Sequence, residues 1–185
     1  MKEQPVWYLK GFRSAKEAST LWNISKTLFQ TAVFWGIFLY TIPLTLLFWE
    51  KSWGWQPYHF AGQSWLPWLL FALLGFVANW ASMTMSILGK GTPLPLDHPN
   101  RLVISGPYRY VRNPMALSGL LQGACIGAYL GSILTILYIV IGGIVWDRFA
   151  RPPEEHHLRL DFGEAYANYC RNVRCWIPRG RPYTV

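Results

Sequence analysis

Three stretches of this chain run for a bilayer's width or more without one charged residue: Leu28 to Trp49, Trp65 to Leu88, and Met115 to Trp146. About 20 consecutive apolar residues suffice for a helix to cross the hydrocarbon core, so each of the first two reads as one span. Pro43 stands inside the first as an expected kink. The third is too long for one untilted span at ~1.5 Å per residue. Gly127, Gly131 and Ser132 near its middle divide it into a hairpin of two short helices, roughly 114–129 and 132–149. Gly119, Gly123, Ala124, Gly127 and Gly142-Gly143 would let those helices pack closely. A single tilted helix is the alternative. The expected fold is all-α: a polytopic membrane helix bundle of about four spans with a cytoplasmic C-terminal helix. Residues 1–27 read as an interfacial arm, 28–149 as the bundle, and 150–185 as a helix and tail completing one domain.

Charge supports this and gives an orientation. Only 14% of residues are charged, against about a quarter in soluble domains. The net charge of +8 comes from basic residues that flank apolar runs. They form no dense basic stripe, so a nucleic-acid partner is not expected. Four spans place both termini and the 89–112 loop on one side, with every Lys and Arg except Lys51, 16 of the 17. The positive-inside rule makes that side cytoplasmic. Trp53, Trp55 and Tyr58 then form an aromatic belt at the other interface, and Trp176-Ile177 a surface anchor for the tail. No signal peptide is visible. Cys125, Cys170 and Cys175 make an odd set without a Cys-x-x-Cys pair, so neither a disulfide framework nor a zinc site is expected.

Chemistry concentrates on the basic side. Ser105-Gly106-Pro107-Tyr108-Arg109-Tyr110-Val111-Arg112 is a turn rich in tyrosine and arginine, and it leads into Asn113-Pro114. Asparagine is a good N-cap and proline suits the first helical turn. The unbonded amides of that helix start favour an anionic ligand group. A second polar group holds Arg148, Arg151, Glu154 and Glu155; charges beside a membrane bundle are functional candidates unless they only set topology. His156 and His157 are adjacent, so on a helix they diverge by about 100° and do not build one metal site. Gly89-Lys90-Gly91 runs into prolines and is not a dinucleotide fingerprint, and no Gly-x-Ser-x-Gly or Walker loop occurs.

These residues stand in a familiar order. Asn100-Arg101-Leu102-Val103-Ile104-Ser105-Gly106-Pro107-Tyr108, Val111-Arg112-Asn113-Pro114-Met115, Glu154-Glu155 followed by Leu158, Phe162-Gly163-Glu164, Tyr166 and Tyr169, and finally Val173 to Pro178 resemble the isoprenylcysteine carboxyl methyltransferase and phospholipid methyltransferase superfamily. The resemblance covers residues 93–178. It implies an integral membrane methyltransferase that uses S-adenosylmethionine and releases S-adenosylhomocysteine. By position, Asn100, Arg101, Leu102, Val103, Tyr108, Asn113, Pro114, Met115, Ala116 and Glu154 would contact the cofactor. The acceptor would be a lipophilic or small amphipathic molecule entering from the bilayer, a prenylcysteine-like carboxylate or a phospholipid amine. Where the family often has His-Pro-x-Tyr, this chain has Asn113-Pro114-Met115-Ala116. The family's substrate-side arginine falls on Ala150, leaving Arg148 or Arg151 for that part.

Methyl transfer from a sulfonium asks mainly for alignment and exclusion of water. A carboxylate acceptor needs an arginine, here Arg151, to orient it. An amine or thiol must lose a proton, for which Glu155 or His156 is at hand. Two other classes fit the same layout: an NADPH-dependent membrane reductase of the sterol-reductase type, and a noncatalytic membrane scaffold.

Overall fold

The computed structural model describes residues 13–14, 20–89, 97–98 and 101–184. Apart from a two-residue parallel pairing of β1 (Arg13–Ser14) with β2 (Asp97–His98), its regular structure is helical.

The first crossing is one continuous rod: α1 (Thr20–Phe34), a π-helical stretch (Trp35–Thr41) and α2 (Ile42–Ser52). Pro43 causes the middle piece. Proline brings no N–H and its ring pushes on the carbonyl four residues back. The ladder therefore slips, and the Ile42 N–H bonds the Ile37 carbonyl. The Thr41 hydroxyl, 2.8 Å from the Gly36 carbonyl, satisfies a further acceptor. The expected kink is thus taken up as a widened turn. The second crossing is α3 (Leu66–Leu88).

The third apolar run is a hairpin, not one tilted helix. α4 (Pro114–Leu130) ends at Gly131, whose φ of 64° is left-handed, and α5 (Ile133–Val145) starts after Ser132. A Cβ on Gly131 would fall 2.3 Å from the Tyr58 carbonyl oxygen, so only glycine fits. Ser132 Oγ accepts the Thr135 N–H at 3.0 Å and caps α5. Gly123 and Gly127 lie against Ile139 and Ile136, so closely that a Cβ would come within 2.2 and 2.7 Å of them. These paired positions make the two helices antiparallel.

α3 and α4 form the centre, also antiparallel. Ser82 Oγ reaches Met115 Sδ at 3.5 Å near one end. The fully buried Gln122 donates its amide to the Phe71 carbonyl at 3.3 Å farther along. α1 joins through a buried Thr27–Ser86 hydroxyl pair at 3.1 Å.

Among the described residues, three helices are long and apolar enough to cross a membrane, and α4 is shorter. Only 6% of the most apolar window of the first and last is buried inside the protein. Phe29, Ile37, Phe48, Phe76, Val140, Ile141 and Ile144 point outward. Such a surface is stable only against hydrocarbon. One boundary differs from expectation. The C-terminal helix does not begin anew near residue 150; α5, a π-helical stretch (Trp146–Ala150) and α6 (Arg151–Asn172) run on without interruption as far as Gly163. The apolar part stops at Trp146, and α6 projects from the bundle. It breaks only at Gly163, where φ is 52°.

Candidate active site

The site begins with a second use of proline. Pro152 and Pro153 interrupt the ladder as Pro43 does, and the Arg151 N–H bonds the Trp146 carbonyl five residues back. Asp147 within this widened turn, and Arg151 and Glu155 past it, follow at four-residue spacing. Arg151 Nε is 2.8 Å from Asp147 Oδ1, and Arg151 Nη1 is 3.2 Å from Glu155 Oε1.

The loop before α4 closes on this row. Arg112 Nη1 lies 2.7 Å from the same Glu155 Oε1 and 2.9 Å from Cys170 Sγ. Asn113 caps α4 as its type predicts, with Oδ1 accepting the Ala116 N–H at 3.4 Å. Residues 102–104 run between the bundle and α6 and alternate sides. Val103 packs with Ala81, Tyr108, Met85 and Met115, whereas Leu102 and Ile104 pack against Tyr166, Tyr169 and Val173.

The tail then straps the loop in place. The Tyr169 hydroxyl donates to the Tyr108 carbonyl at 2.6 Å. Backbone bonds join Arg112 N–H to the Arg174 carbonyl, Arg179 N–H to the Tyr110 carbonyl and Tyr183 N–H to the Arg109 carbonyl, at 2.9 to 3.0 Å. Trp176 donates its indole N–H to Asp147 Oδ1 at 2.6 Å. It is therefore a half-buried part of the site, and only Ile177 of the expected anchor pair is exposed.

Glu154 is the odd member. Its carboxyl is set among protein atoms and meets no hydrogen-bond or ion-pair partner among the described residues, while Tyr108, Glu155 and Cys175 stand near enough to feel its charge. Burial first, and the neighbouring Glu155 second, push its pKa up to about 7. Burial likewise raises Tyr108, with Glu154 adding to it. Buried donors, Arg112 Nε and Trp146 Nε1 among them, end without a hydrogen-bond partner among the described residues. Buried polar atoms of this kind call for an explanation, and a ligand is one.

The residues singled out from sequence divide as follows. Val103, Tyr108, Met115 and the start of α4 come together with Glu154 and Glu155 around one end of the bundle. Pro114 is buried, Ala116 half-buried, and Arg101 exposed. Arg148 is exposed and faces the same row through Asp147. Asn100 lies outside the described residues. Arg112, Asp147, Cys170 and Trp176 were missed. The spacing of Asp147, Arg151 and Glu155 was a readable signal, but nothing local marked Trp176.

The model of the family described as phospholipid methyltransferase matches residues 63–165, more than half of the chain. The chain belongs to the phospholipid methyltransferase family. The matched region takes in α3, the loop, the hairpin and the Glu154-Glu155 pair, and it stops short of Tyr166, Tyr169 and Trp176. No curated protein matches the chain. An integral membrane methyltransferase is thus the general class.

An apolar groove of about 510 Å³ lies elsewhere, between the Phe60–Val77 region and Leu121 to Ala128. It faces the membrane in the opposite half of the α3–α4 pair, away from every charged residue of the site.

Proposed function

We propose that this protein transfers a methyl group from S-adenosylmethionine to a lipophilic acceptor at the end of the bundle where Glu154 lies. The carrying observation is the Glu154 carboxyl, half-buried and without a hydrogen-bond or ion-pair partner among the described residues, beside a carboxylate that already holds two guanidiniums. The residues present fit the cofactor. Glu154 would take its ammonium end, since a buried acid gains most from a cation delivered to it. Leu102, Val103, Tyr108 and Met115 offer apolar and aromatic surface for the adenosyl part. The capped start of α4, Asn113 to Ala116, supplies an electropositive end for the carboxylate. Arg101, and Asn100 by position, would close the outer side. The cofactor, when bound, supplies an electrophilic methyl with a good leaving group.

The remaining chemistry belongs to side chains. Glu155 Oε1 holds Arg112 and Arg151, which leaves Oε2, approached by Arg159 no nearer than 4.0 Å, to orient an acceptor N–H. Its Oε1 is taken up by Arg112 and Arg151, so an amine acceptor would enter already neutral. Arg151 is paired at both ends, and in this reading it holds Glu155 in place. Arg148 is the guanidinium available to an anionic headgroup. Arg112 and Arg151 are already paired with acids and Arg148 is exposed, so Glu155 Oε2 is the polar group left to meet an acceptor. We therefore favour a phospholipid amine over a prenylcysteine-like carboxylate. Its tails would enter from the bilayer, and the basic end would face the cytoplasm by the positive-inside rule.

The test is calorimetry of S-adenosylhomocysteine and of NADPH with detergent-purified protein, repeated with Glu154→Ala. Binding of the first, lost in the variant, is expected. Binding of NADPH alone would replace this reading with the reductase, and binding of neither would favour a scaffold.

A further inference from the structure

The row of charges at the site is held at its outer end by a residue, Trp176, that the family match does not reach. From outside inward, the side chains of Asp147, Arg151, Glu155 and Arg112 are 32%, 27%, 15% and 14% exposed. The row thus starts near water and ends against the loop that opens α4. Its outermost atom, Asp147 Oδ1, is shared by Arg151 Nε at 2.8 Å and the Trp176 indole N–H at 2.6 Å. An isolated surface ion pair of that exposure would swing freely and add little. This one is fixed by a donor on a segment strapped by backbone bonds to residues 109–112.

We infer that Trp176 is a positioning residue of the active site: by holding Asp147 it keeps Arg151 extended between Asp147 and Glu155, and so sets where Glu155 and Arg112 stand. The tail is then part of the catalytic end. Without the indole N–H, Asp147 turns to solvent and Arg151 follows it. Glu155 is left with Arg112 and the distant Arg159, and its charge is less neutralised. The groups facing neighbouring Glu154 are Glu155 on its own helix, Tyr108 from the loop and Cys175 from the tail. An under-neutralised Glu155 disfavours ionisation of Glu154. A defect at Trp176 therefore reads out as a shifted proton equilibrium, which mere loosening of the fold does not produce.

This inference rests on the assignment of Glu154 to the cofactor, and the experiment separates the two. Binding of S-adenosylhomocysteine to the full chain in detergent is measured from pH 5.5 to 8.5 for the parent, Trp176→Phe, Asp147→Asn and the double variant. The parent is expected to bind more tightly as pH rises through about 7. Trp176→Phe keeps the ring and loses the N–H, and it should move that midpoint up by ~0.5 unit, about a threefold loss of affinity on the acid side. Asp147→Asn should shift it the same way, and the double variant should add little, because both act on one contact. A parent with no midpoint overturns the Glu154 assignment itself. A parent midpoint unmoved in both single variants, or shifts that simply add, overturns the role of Trp176 alone. If Trp176→Phe does not fold, Asp147→Asn carries the test.

Discussion

The two ends of the bundle use polar residues in opposite ways. At the end away from the site, several polar groups close helix termini. Buried Glu50 accepts the Leu134 N–H at 2.7 Å in the first turn of α5, and Ser132 accepts that of Thr135. The Gln63 amide donates to the Ala128 and Tyr129 carbonyls at 3.1 Å, where α4 has lost its own partners. The Tyr58 N–H bonds the Gly131 carbonyl at 3.0 Å. At the site end the acids and guanidiniums bond one another more than they cap helices, and Glu154 stands apart with Arg112 Nε and Trp146 Nε1 open among the described residues. A saturated end stabilises a fold, whereas an end with polar capacity left over can take a ligand.

The comparison breaks most visibly at Glu154. Replacing it with alanine should weaken S-adenosylhomocysteine binding at least tenfold, from the ~1.5–3 kcal/mol of a hydrogen bond to a charged group. The melting temperature should hold or rise, because an uncompensated acid has gone. Unchanged affinity in folded protein would return Glu154 to the role of a helix residue.

At the other end the prediction reverses. Glu50→Ala leaves the Leu134 N–H without its acceptor, at a cost of about 1–3 kcal/mol. Gly131→Ala forces a left-handed backbone and a clash with the Tyr58 carbonyl, a cost of at least similar size. Thermal melts in detergent should show both losses, and cofactor affinity of the folded fraction should stay within about twofold. A large drop in affinity from either would mean the two ends are coupled, and the division drawn above would fall.

These regions were unequally legible in the sequence. The spans, the hairpin turn at Gly131 and the Asn113 cap follow from apolar run length and from residues whose local geometry decides the outcome. The grouping of Tyr108, Met115 and Glu154 came from a family resemblance, not from periodicity. The continuous α5–α6 helix was missed because Pro152-Pro153 reads as a helix start, yet a π-helical turn can absorb a proline that follows it. Trp176 lies 29 positions from Asp147 and looked like a membrane anchor, since an indole suits either role. Pairing across such distances is set by tertiary packing, which no local pattern reports.

The smallest effect concerns protons at Glu154 and sharpens the contrast without breaking anything. In the free protein its pKa stands at about 7 against an ordinary 4.5. The folded state therefore binds a proton more tightly than the unfolded chain. Stability from this group is complete below about pH 4.5 and is lost as pH rises through 7. The residue keeps some exposure, so the loss should be on the order of 1 kcal/mol, not the full value of the shift. Glu154→Gln should remove it: melting temperatures of parent and variant should converge at pH 5 and separate by pH 7.5, with the variant higher. Saturating S-adenosylhomocysteine should shrink or reverse that gap in the parent, because its ammonium compensates the ionised carboxylate that burial disfavours. Parallel melting curves at every pH, with and without the ligand, would show that Glu154 is solvated in the folded protein and that this end is as saturated as the other.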